Sequence, residues 1–224
     1  MEYIKPKNTR EAINLMQRWM GRARLIAGGT NIIPDMRVKA IKPHLLIDIN
    51  HLKSLSYIKE DKKNLQIGGL TTISEMTSSK IIQKYAPILS EAAQQLGNPL
   101  VRNRATIAGN LADASSATDT AVPLLAFEAI VITDKRQIPI DQFFVGPNRT
   151  VLKKDEMVKE IIFPKPNPKT KMSYAKLWLR NAMAISVVSI AILMETEGGD
   201  ARRRGLVLER LLRSLSGLME LKGY

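Results

Sequence analysis

Two short segments of the sequence carry residue types that can bind an anion through backbone N–H groups. They are Ala27-Gly28-Gly29-Thr30-Asn31 and Thr106-Ile107-Ala108-Gly109-Asn110. Glycine lets the backbone adopt positive φ angles and lets a ligand approach where a Cβ would otherwise stand. The first segment follows a predicted strand and precedes a predicted helix, which is the arrangement of many anion sites. Taken alone, it fits an ordinary strand-to-helix turn better.

The second segment lies within a longer stretch, residues 97–119, that is small, polar and rich in amide side chains. Between two apolar segments, such a composition predicts a loop buried against a ligand, because small residues permit close backbone approach. Hydrogen-bonding side chains are available from Thr106, Asn110, Ser115 and Ser116. The G-x-G-x-x-G fingerprint is absent from the sequence, which disfavours a Rossmann-type NAD site.

The elements that must position these segments alternate at first between strand and helix. Residues 1–56 predict a small parallel sheet covered by helices. Residues 57–171 begin with a hairpin and continue as a mixed sheet with helices beside it. Residues 172–224 begin a third unit, in which the apolar run 185–194 fits either a strand or a helix. We therefore predict an α+β fold with a two-part ligand-binding domain followed by a partial C-terminal domain.

Together, the two segments carry a resemblance that neither carries alone. The pair Ala-Gly-Gly-Thr-Asn and Val-Arg-Asn-Arg-Ala-Thr-Ile-Ala-Gly-Asn-Leu resembles the FAD-binding medium subunit of the molybdenum hydroxylases. This group includes aerobic carbon monoxide dehydrogenase, archaeal aldehyde oxidoreductases and the flavin domain of xanthine dehydrogenase. The resemblance extends from the N-terminus to about Met194. It implies the flavoprotein fold of p-cresol methylhydroxylase and vanillyl-alcohol oxidase.

The resemblance implies FAD as the cofactor and assigns its contacts to both segments and to positions outside them. These residues are Leu25, Ile26, Ala27, Gly28, Gly29, Thr30, Asn31, Ile32, Leu96, Thr106, Ile107, Gly109, Asn110, Asp119, Val158 and Lys176. By this comparison, residues 25–32 wrap the pyrophosphate, and Thr106, Gly109 and Asn110 hold it from the other side.

Four of the assigned positions lie outside the two segments. Asp119 matches an acid that hydrogen-bonds the cofactor, and Leu96 matches an apolar or aromatic residue near the flavin. Val158 matches a backbone contact, and Lys176 matches a lysine close to the cofactor. Without the resemblance, Leu96 and Val158 are typical core residues, and Lys176 is typical of a solvated charge.

The same resemblance implies a division of labour among subunits. A molybdenum-containing large subunit hydroxylates the substrate, and a small subunit with two iron–sulfur clusters passes the electrons to the flavin, which delivers them to an acceptor. The sequence contains no cysteine, so these residues offer no ligand set for a cluster. We predict no catalytic acid–base pair in this chain, and the two histidines do not lie at metal-ligand spacing.

Other functions remain open from the residues alone. A stand-alone flavin-dependent oxidoreductase would use the same cofactor, whereas a degenerate subunit would have lost it. The net charge of +13 allows nucleic-acid binding. However, aromatic residues make up only 5% of the chain and do not interleave with the basic residues, so we predict no nucleic-acid partner. No apolar run is long enough to span a bilayer, and we expect a cytoplasmic protein.

The sequence departs from the family pattern near its end. The family often has two arginines followed by an acid, but residues 180–185 here contain no acid. Residues 201–224 resemble nothing expected in the C-terminal domain. We interpret them either as the product of a truncated or frameshifted gene or as a replacement helix with a leucine-rich stripe. Either interpretation predicts self-association through the tail and little FAD on the chain purified alone.

Overall fold

A computed structural model describes residues 1–115, 117–178, 186–197 and 200–208. Its strands, in chain order, are β1 (Glu2–Ile4), β2 (Ala23–Ile26), β3 (Leu45–Asp48), β4 (Ile58–Glu60), β5 (Asn64–Gly68), β6 (Ile130–Thr133), β7 (Gln137–Pro139), β8 (Phe144–Gly146), β9 (Arg149–Thr150), β10 (Val158–Pro164), β11 (Lys171–Trp178), β12 (Ser186–Glu197) and β13 (Asp200–Leu208). Its α-helices are α1 (Thr9–Trp19), α2 (Ile32–Arg37), α3 (Ile73–Ser78), α4 (Lys80–Tyr85), α5 (Pro87–Gln94), α6 (Pro99–Arg102), α7 (Ile107–Asp113) and α8 (Ala121–Ala126). The predicted α+β class is confirmed.

The first sheet is parallel and three-stranded, in the order β1-β3-β2. Its central strand is apolar because both of its faces are covered: Leu45, Leu46 and Ile47 are all buried. Helix α1 packs on this sheet through Ala12 and Met16. The carboxyl end of β2 leads directly into the first glycine segment, so the small sheet fixes where that segment begins.

The second sheet has five strands in the order β4-β5-β10-β6-β7, and all the neighbours are antiparallel. The predicted hairpin forms β4 and β5, and helices α3 to α5 pack together beside the sheet. Helix α7 packs against the central strand β10. The sheet therefore supports helix α7, which starts with the second glycine segment.

Residues 97–119 do not form the predicted loop. They contain helices α6 and α7, so the second glycine segment is the start of a helix. The Asn98 side chain accepts a hydrogen bond from the Val101 N–H at 2.9 Å, and Pro99 occupies the first helical turn. The Thr106 hydroxyl caps α7 in the same way. These capping residues and the helix-favouring alanines outweigh the small, polar composition on which the loop prediction depended.

The third sheet is antiparallel, in the order β11-β12-β13, and packs on helix α8. The ambiguous run 185–194 therefore forms a strand from Ser186 onward. Residues 200–208 form a further strand. The predicted replacement helix is therefore wrong for the part of its leucine stripe that lies here, Leu206 and Leu208. Cross-strand pairing with β12 supplies the backbone hydrogen bonds that a helix would otherwise have made. The rest of the predicted leucine stripe, residues 209–224, and the predicted departure at residues 180–185 lie outside the described residues.

The described part of the chain offers neither a membrane-crossing helix nor a metal site. No helix in it combines the length and the apolar character that a bilayer crossing requires. Within the same residues, no three His, Cys, Asp or Glu side chains lie together in a way that could hold a metal ion. The predicted domain boundaries after residues 56 and 171 stay predictions.

One buried carboxylate ties the loop before β10 to the turn after β6. Glu156 accepts hydrogen bonds from the Thr133 hydroxyl at 2.8 Å, from Arg136 Nε at 2.8 Å and from the Lys153 N–H at 3.0 Å. Burial alone raises the pKa of Glu156, but these hydrogen bonds and the charge of Arg136 outweigh it and bring the pKa to about 2. The carboxylate therefore stabilises the folded chain only while it is ionised.

We expect the free energy of unfolding to fall as the pH drops from about 4.5 to about 2, because the unfolded chain takes up the proton first. The loss at Glu156 should be roughly 2–3 kcal/mol. Glu156→Gln should lower stability at neutral pH and remove this part of the acid dependence in urea titrations. Glu91→Gln, at an exposed position of α5, is the matched control. If Glu156→Gln shows the same acid dependence as Glu91→Gln, this role of Glu156 is wrong.

Candidate cofactor site

The two glycine segments, which are far apart in sequence, meet in the structure. An added Cβ on Gly28 would lie 1.9 Å from the carbonyl oxygen of Arg104 and 3.0 Å from the N atom of Ala105. No side chain larger than hydrogen fits at Gly28 with this backbone. The residues just before helix α7 thus pack directly on the first segment, and the two segments form one site.

The first segment presents a row of free backbone donors. Among the described residues, the N–H groups of Gly28, Gly29, Thr30 and Asn31 have no acceptor. Gly29 adopts a φ of +77°, which turns the chain between strand β2 and helix α2. Consecutive N–H groups in such a turn form a concave site for an anion. Leu25 and Ile26 end β2, Ala27 precedes the turn, and Ile32 begins α2. The eight residues predicted to contact the pyrophosphate therefore form one stretch from the end of a strand to the start of a helix.

In the second segment, in contrast, the N–H groups of Ile107 to Asn110 already have partners within the protein, and that of Thr106 has none among the described residues. The Ile107 N–H donates to the Thr71 carbonyl at 3.0 Å, and the Ala108 N–H donates to the Gly69 carbonyl at 3.1 Å. The Gly109 N–H donates to the Thr106 hydroxyl at 3.2 Å. The second segment can therefore bind an anion through its side chains and the single N–H of Thr106, but it does not offer a row of free backbone donors.

Two features of the second segment are suited to a ligand. An added Cβ on Gly109 would meet only the Thr106 Oγ1 atom, at 2.9 Å, so the space beyond this glycine is open. Asn110 accepts a hydrogen bond from the Thr120 hydroxyl at 2.6 Å through its Oδ1 atom. This bond fixes the side-chain amide and leaves its nitrogen to donate elsewhere. Thr106 is buried, so its hydroxyl is held in place at the helix start.

A buried ion pair joins the loop before α8 to strand β11. Lys176 Nζ donates to Asp119 Oδ2 at 2.8 Å and to the Gln95 carbonyl oxygen at 3.2 Å. The side chains of the two charged residues are 0% and 5% exposed, respectively. Burial raises the pKa of Asp119 to about 6, although the hydrogen bond and the charge of Lys176 act to lower it. The structure thus brings together two predicted cofactor residues that lie 57 positions apart, and Lys176 is not a solvated charge.

Three residues that form or adjoin this ion pair carry a buried polar atom without a partner. Among the described residues, Asp119 Oδ1, Gln95 Oε1 and Ser189 Oγ have no hydrogen-bond partner. Ser189 lies directly opposite Lys176 in the pairing of β11 with β12 and is fully buried. Native proteins rarely leave buried polar atoms unpaired, so such a group of orphaned atoms indicates a missing ligand or water.

Sequence reasoning did not single out Gln95 or Ser189. For Ser189, a signal was available, because it is the one polar residue between Val187 and Met194 in an otherwise apolar run. Gln95 follows the last residue of α5 and offered no such signal. Leu96 and Val158 both lie in the hydrophobic core, with 9% and 7% exposure. Leu96 adjoins Gln95, whereas Val158 packs near Gly69 beneath helix α7.

The residues present fit a flavin dinucleotide on two independent counts. The turn of free N–H groups suits a pyrophosphate, and the orphaned polar atoms suit a buried polar group. The sequence profile described as the FAD binding domain in molybdopterin dehydrogenase matches residues 1–166. The chain belongs to this family. The predicted family, the FAD cofactor and the oxidoreductase class are therefore confirmed, whereas the individual cofactor contacts stay predictions.

Individual relatives agree with this assignment. The chain is 34% identical over 201 residues to the carbon monoxide dehydrogenase medium chain of Hydrogenophaga pseudoflava, covering 88% of this chain and 70% of the relative. It is 30% identical over 205 residues to the xanthine dehydrogenase FAD-binding subunit of Escherichia coli O157:H7, with the same coverage. Both relatives are named as one chain or subunit of an enzyme. This chain spans about 70% of their length.

The fold agrees as well. The structure of carbon monoxide dehydrogenase from Hydrogenophaga pseudoflava, in a form lacking the Mo-pyranopterin moiety of its cofactor, matches with a TM-score of 0.87 and 32% sequence identity. The match covers 93% of this chain and 73% of that one. The match therefore extends over nearly the whole chain, which contains both glycine segments and the third sheet.

Proposed function

We propose that this chain is the electron-transferring flavoprotein subunit of a molybdenum hydroxylase that oxidises carbon monoxide, an aldehyde or a purine. Bound FAD would accept two electrons and pass them to an acceptor. The protein's own part is to bind and orient the cofactor and to exclude water from one edge of it. Relatives named for carbon monoxide, glyceraldehyde and xanthine support this range of substrates.

The observation that carries the proposal is the contact between the two glycine segments. The N–H groups of Gly28 to Asn31 are free, Gly28 packs on the two residues that precede Thr106, and the space beyond Gly109 is open. A pyrophosphate needs several donors around both phosphates. The backbone of the first segment supplies them, and the Thr106 hydroxyl and the Asn110 amide add side-chain donors from the second.

Partner subunits are supported by the relatives, which are named as one chain or subunit of an enzyme. Iron–sulfur clusters are held by cysteine thiolates, and none of the 224 residues is cysteine. We therefore place the two [2Fe–2S] clusters on a small partner subunit and the molybdenum cofactor on a large one. Isolating the tagged chain from its native cells should co-purify two further subunits together with iron and molybdenum. Recovery of a chain carrying flavin but neither metal would favour the stand-alone oxidoreductase.

Self-association is proposed on separate grounds. Apolar side chains on β11 and β12 are exposed, with Leu177 58%, Val187 51% and Met194 38% accessible. The register of β11 with β12 puts Leu177 and Met194 on the same face, six residues apart along the strands, and an exposed apolar face is a candidate contact surface. Sedimentation of the purified chain should show a dimer that Leu177→Lys dissociates. A monomeric wild-type chain would contradict this part of the proposal.

A comparison of two flavins tests whether the chain binds the ADP portion of FAD. We expect the full chain to bind FAD about 100-fold or more tightly than riboflavin, because riboflavin lacks the adenosine and the pyrophosphate that the first segment would hold. Quenching of flavin fluorescence during titration measures both dissociation constants. Equal affinity for the two flavins would mean that the glycine segments do not bind a pyrophosphate.

A further inference from the structure

Helix α7 carries one more polar residue on the side where the second glycine segment lies. Residues three, four and seven positions apart share one side of a helix. Counted from Thr106, that side of α7 contains Gly109, Asn110 and Asp113, whereas the opposite side is apolar and buried. Asp113 therefore extends the predicted cofactor side of α7 by one turn, although neither the glycine motif nor the family resemblance includes it.

Asp113 is also in contact with the first glycine segment. The Asn31 side-chain amide donates a hydrogen bond to the Asp113 carboxylate. Asn31 directly precedes helix α2, where an asparagine side chain commonly accepts a hydrogen bond from the first turn of the helix. Here its side chain makes no such capping bond. The Asn31 side chain thus links the two glycine segments instead of stabilising the start of its own helix.

The two glycine segments are therefore in contact at both ends of α7. Gly28 packs on Arg104 and Ala105, which precede the helix. Asn31 is bound to Asp113, which is the last residue of the helix. The residues with free N–H groups run from the first of these contacts to the second. Loss of either contact would release one end of the turn that carries these groups.

The position of Asp113 is otherwise unfavourable for a carboxylate. It lies at the C-terminal end of α7, where the helix dipole disfavours a negative charge. Burial raises the pKa of Asp113, the hydrogen bond from Asn31 lowers it, and the nearby charge of Asp35 raises it again. A carboxylate that stays where local physical rules disfavour it is characteristic of a functional position.

We propose that Asp113 is a positioning residue that holds Asn31, and with it the row of free N–H groups, in the conformation that binds the pyrophosphate. This inference rests on the proposed function, because it requires that the chain bind FAD. Asp113 acts through Asn31 and need not touch the cofactor. A contact that fixes a binding segment in advance reduces the conformational entropy that is lost when the ligand binds.

Two variants separate the hydrogen bond of Asp113 from its charge. Asp113→Asn keeps an oxygen that can accept from Asn31 but removes a negative charge close to an anion site, whereas Asp113→Ala removes both. We expect Asp113→Asn to bind FAD at least as tightly as the wild-type chain. Asp113→Ala should bind FAD about five- to tenfold more weakly than Asp113→Asn, the effect of one lost hydrogen bond. Titration of the full chain with FAD, followed by flavin fluorescence, gives the dissociation constants.

A double-variant cycle tests whether Asp113 acts through Asn31. In an Asn31→Ala chain, the further change Asp113→Ala should cause no additional loss of FAD affinity. Riboflavin affinity should not respond to Asp113→Ala, because riboflavin lacks the pyrophosphate. Asp141→Ala, at an exposed position, is the matched control and should leave FAD affinity unchanged. Alanine favours a helix, so Asp113→Ala should fold, and urea unfolding checks this.

The outcomes separate this inference from the proposed function. If Asp113→Asn and Asp113→Ala bind FAD equally well, the positioning role is wrong, while FAD binding itself stands. The same holds if Asp113→Ala lowers FAD affinity as much in the Asn31→Ala chain as in the wild type. If the wild-type chain does not bind FAD, the proposed function and the inference both fail.

Discussion

Gly28→Ala is expected to abolish measurable FAD binding. Its Cβ would lie 1.9 Å from the Arg104 carbonyl oxygen, which is closer than any real non-bonded contact. The two glycine segments must then move apart, and the obstructing atom is backbone that cannot rotate away. A displacement of about 1 Å between binding groups can cost roughly 100-fold in a precisely organised site. Titration with FAD, monitored by fluorescence, measures the loss.

The control for this variant is a glycine at which an added Cβ strains the backbone but meets no backbone atom. Gly21 has a φ of +80° and lies at the other end of β2, where an added Cβ would meet only the flexible end of Lys154. Gly21→Ala should therefore reduce stability through backbone strain, by about 1 kcal/mol or more, without changing FAD affinity. If Gly28→Ala binds FAD as tightly as Gly21→Ala does, the contact between the segments is irrelevant to the cofactor.

The second large effect is expected at the buried ion pair. Lys176→Met leaves the Asp119 carboxylate buried without its partner, which typically costs about 3–5 kcal/mol in unfolding free energy. Adding Asp119→Asn removes the stranded charge, so the double variant should recover much of the loss. Urea unfolding of the four proteins in the cycle gives the coupling energy. Additive effects of the two substitutions would show that the pair does not interact in solution.

The same pair should make stability depend on pH. Because burial raises the pKa of Asp119 to about 6, above its ordinary value of 3.8, the unfolded chain loses this proton first. The contribution of Asp119 to stability is therefore fully present below about pH 4 and declines as the pH rises to about 6. Lys176→Met should extend this decline to higher pH, whereas Asp119→Asn should abolish it. The carboxylate at Glu156 acts in the opposite direction and in a more acidic range.

The local parts of the fold were predictable because their signals are local. The β4–β5 hairpin and the strand ending at Pro164 follow from alternating apolar residues and from turn or breaker residues at their ends. The loop prediction for residues 97–119 failed although the caps Asn98 and Thr106 were visible in the sequence. Small and polar residues favour a loop by composition, but the capping side chains of Asn98 and Thr106 satisfy the first N–H groups of two helices and decide the local structure.

The candidate site was predictable only in part, because its decisive contacts are long-range. The first glycine motif identified Gly28, and the family resemblance implied Asp119, but no pattern along the chain shows that Gly28 packs on Arg104. Nor does it show that Lys176 reaches both Asp119 and the end of α5. These contacts arise from the packing of three sheets, and the orphaned atoms of Gln95 and Ser189 become visible only once that packing is known.

The unequal use of backbone donors in the two glycine segments has a consequence for how the cofactor is captured. The amides of Ile107 and Ala108 are bonded to residues that follow β5, and the Ile73 amide donates to the Ala105 carbonyl in return. This half of the site is preorganised, so it loses little conformational entropy when a ligand arrives. The amides of residues 28–31 have no such bonds, so this segment loses more conformational entropy when the cofactor binds. In hydrogen exchange, the amides of Ile107 and Ala108 should already be protected in the free chain, whereas protection of residues 28–31 should appear only with FAD.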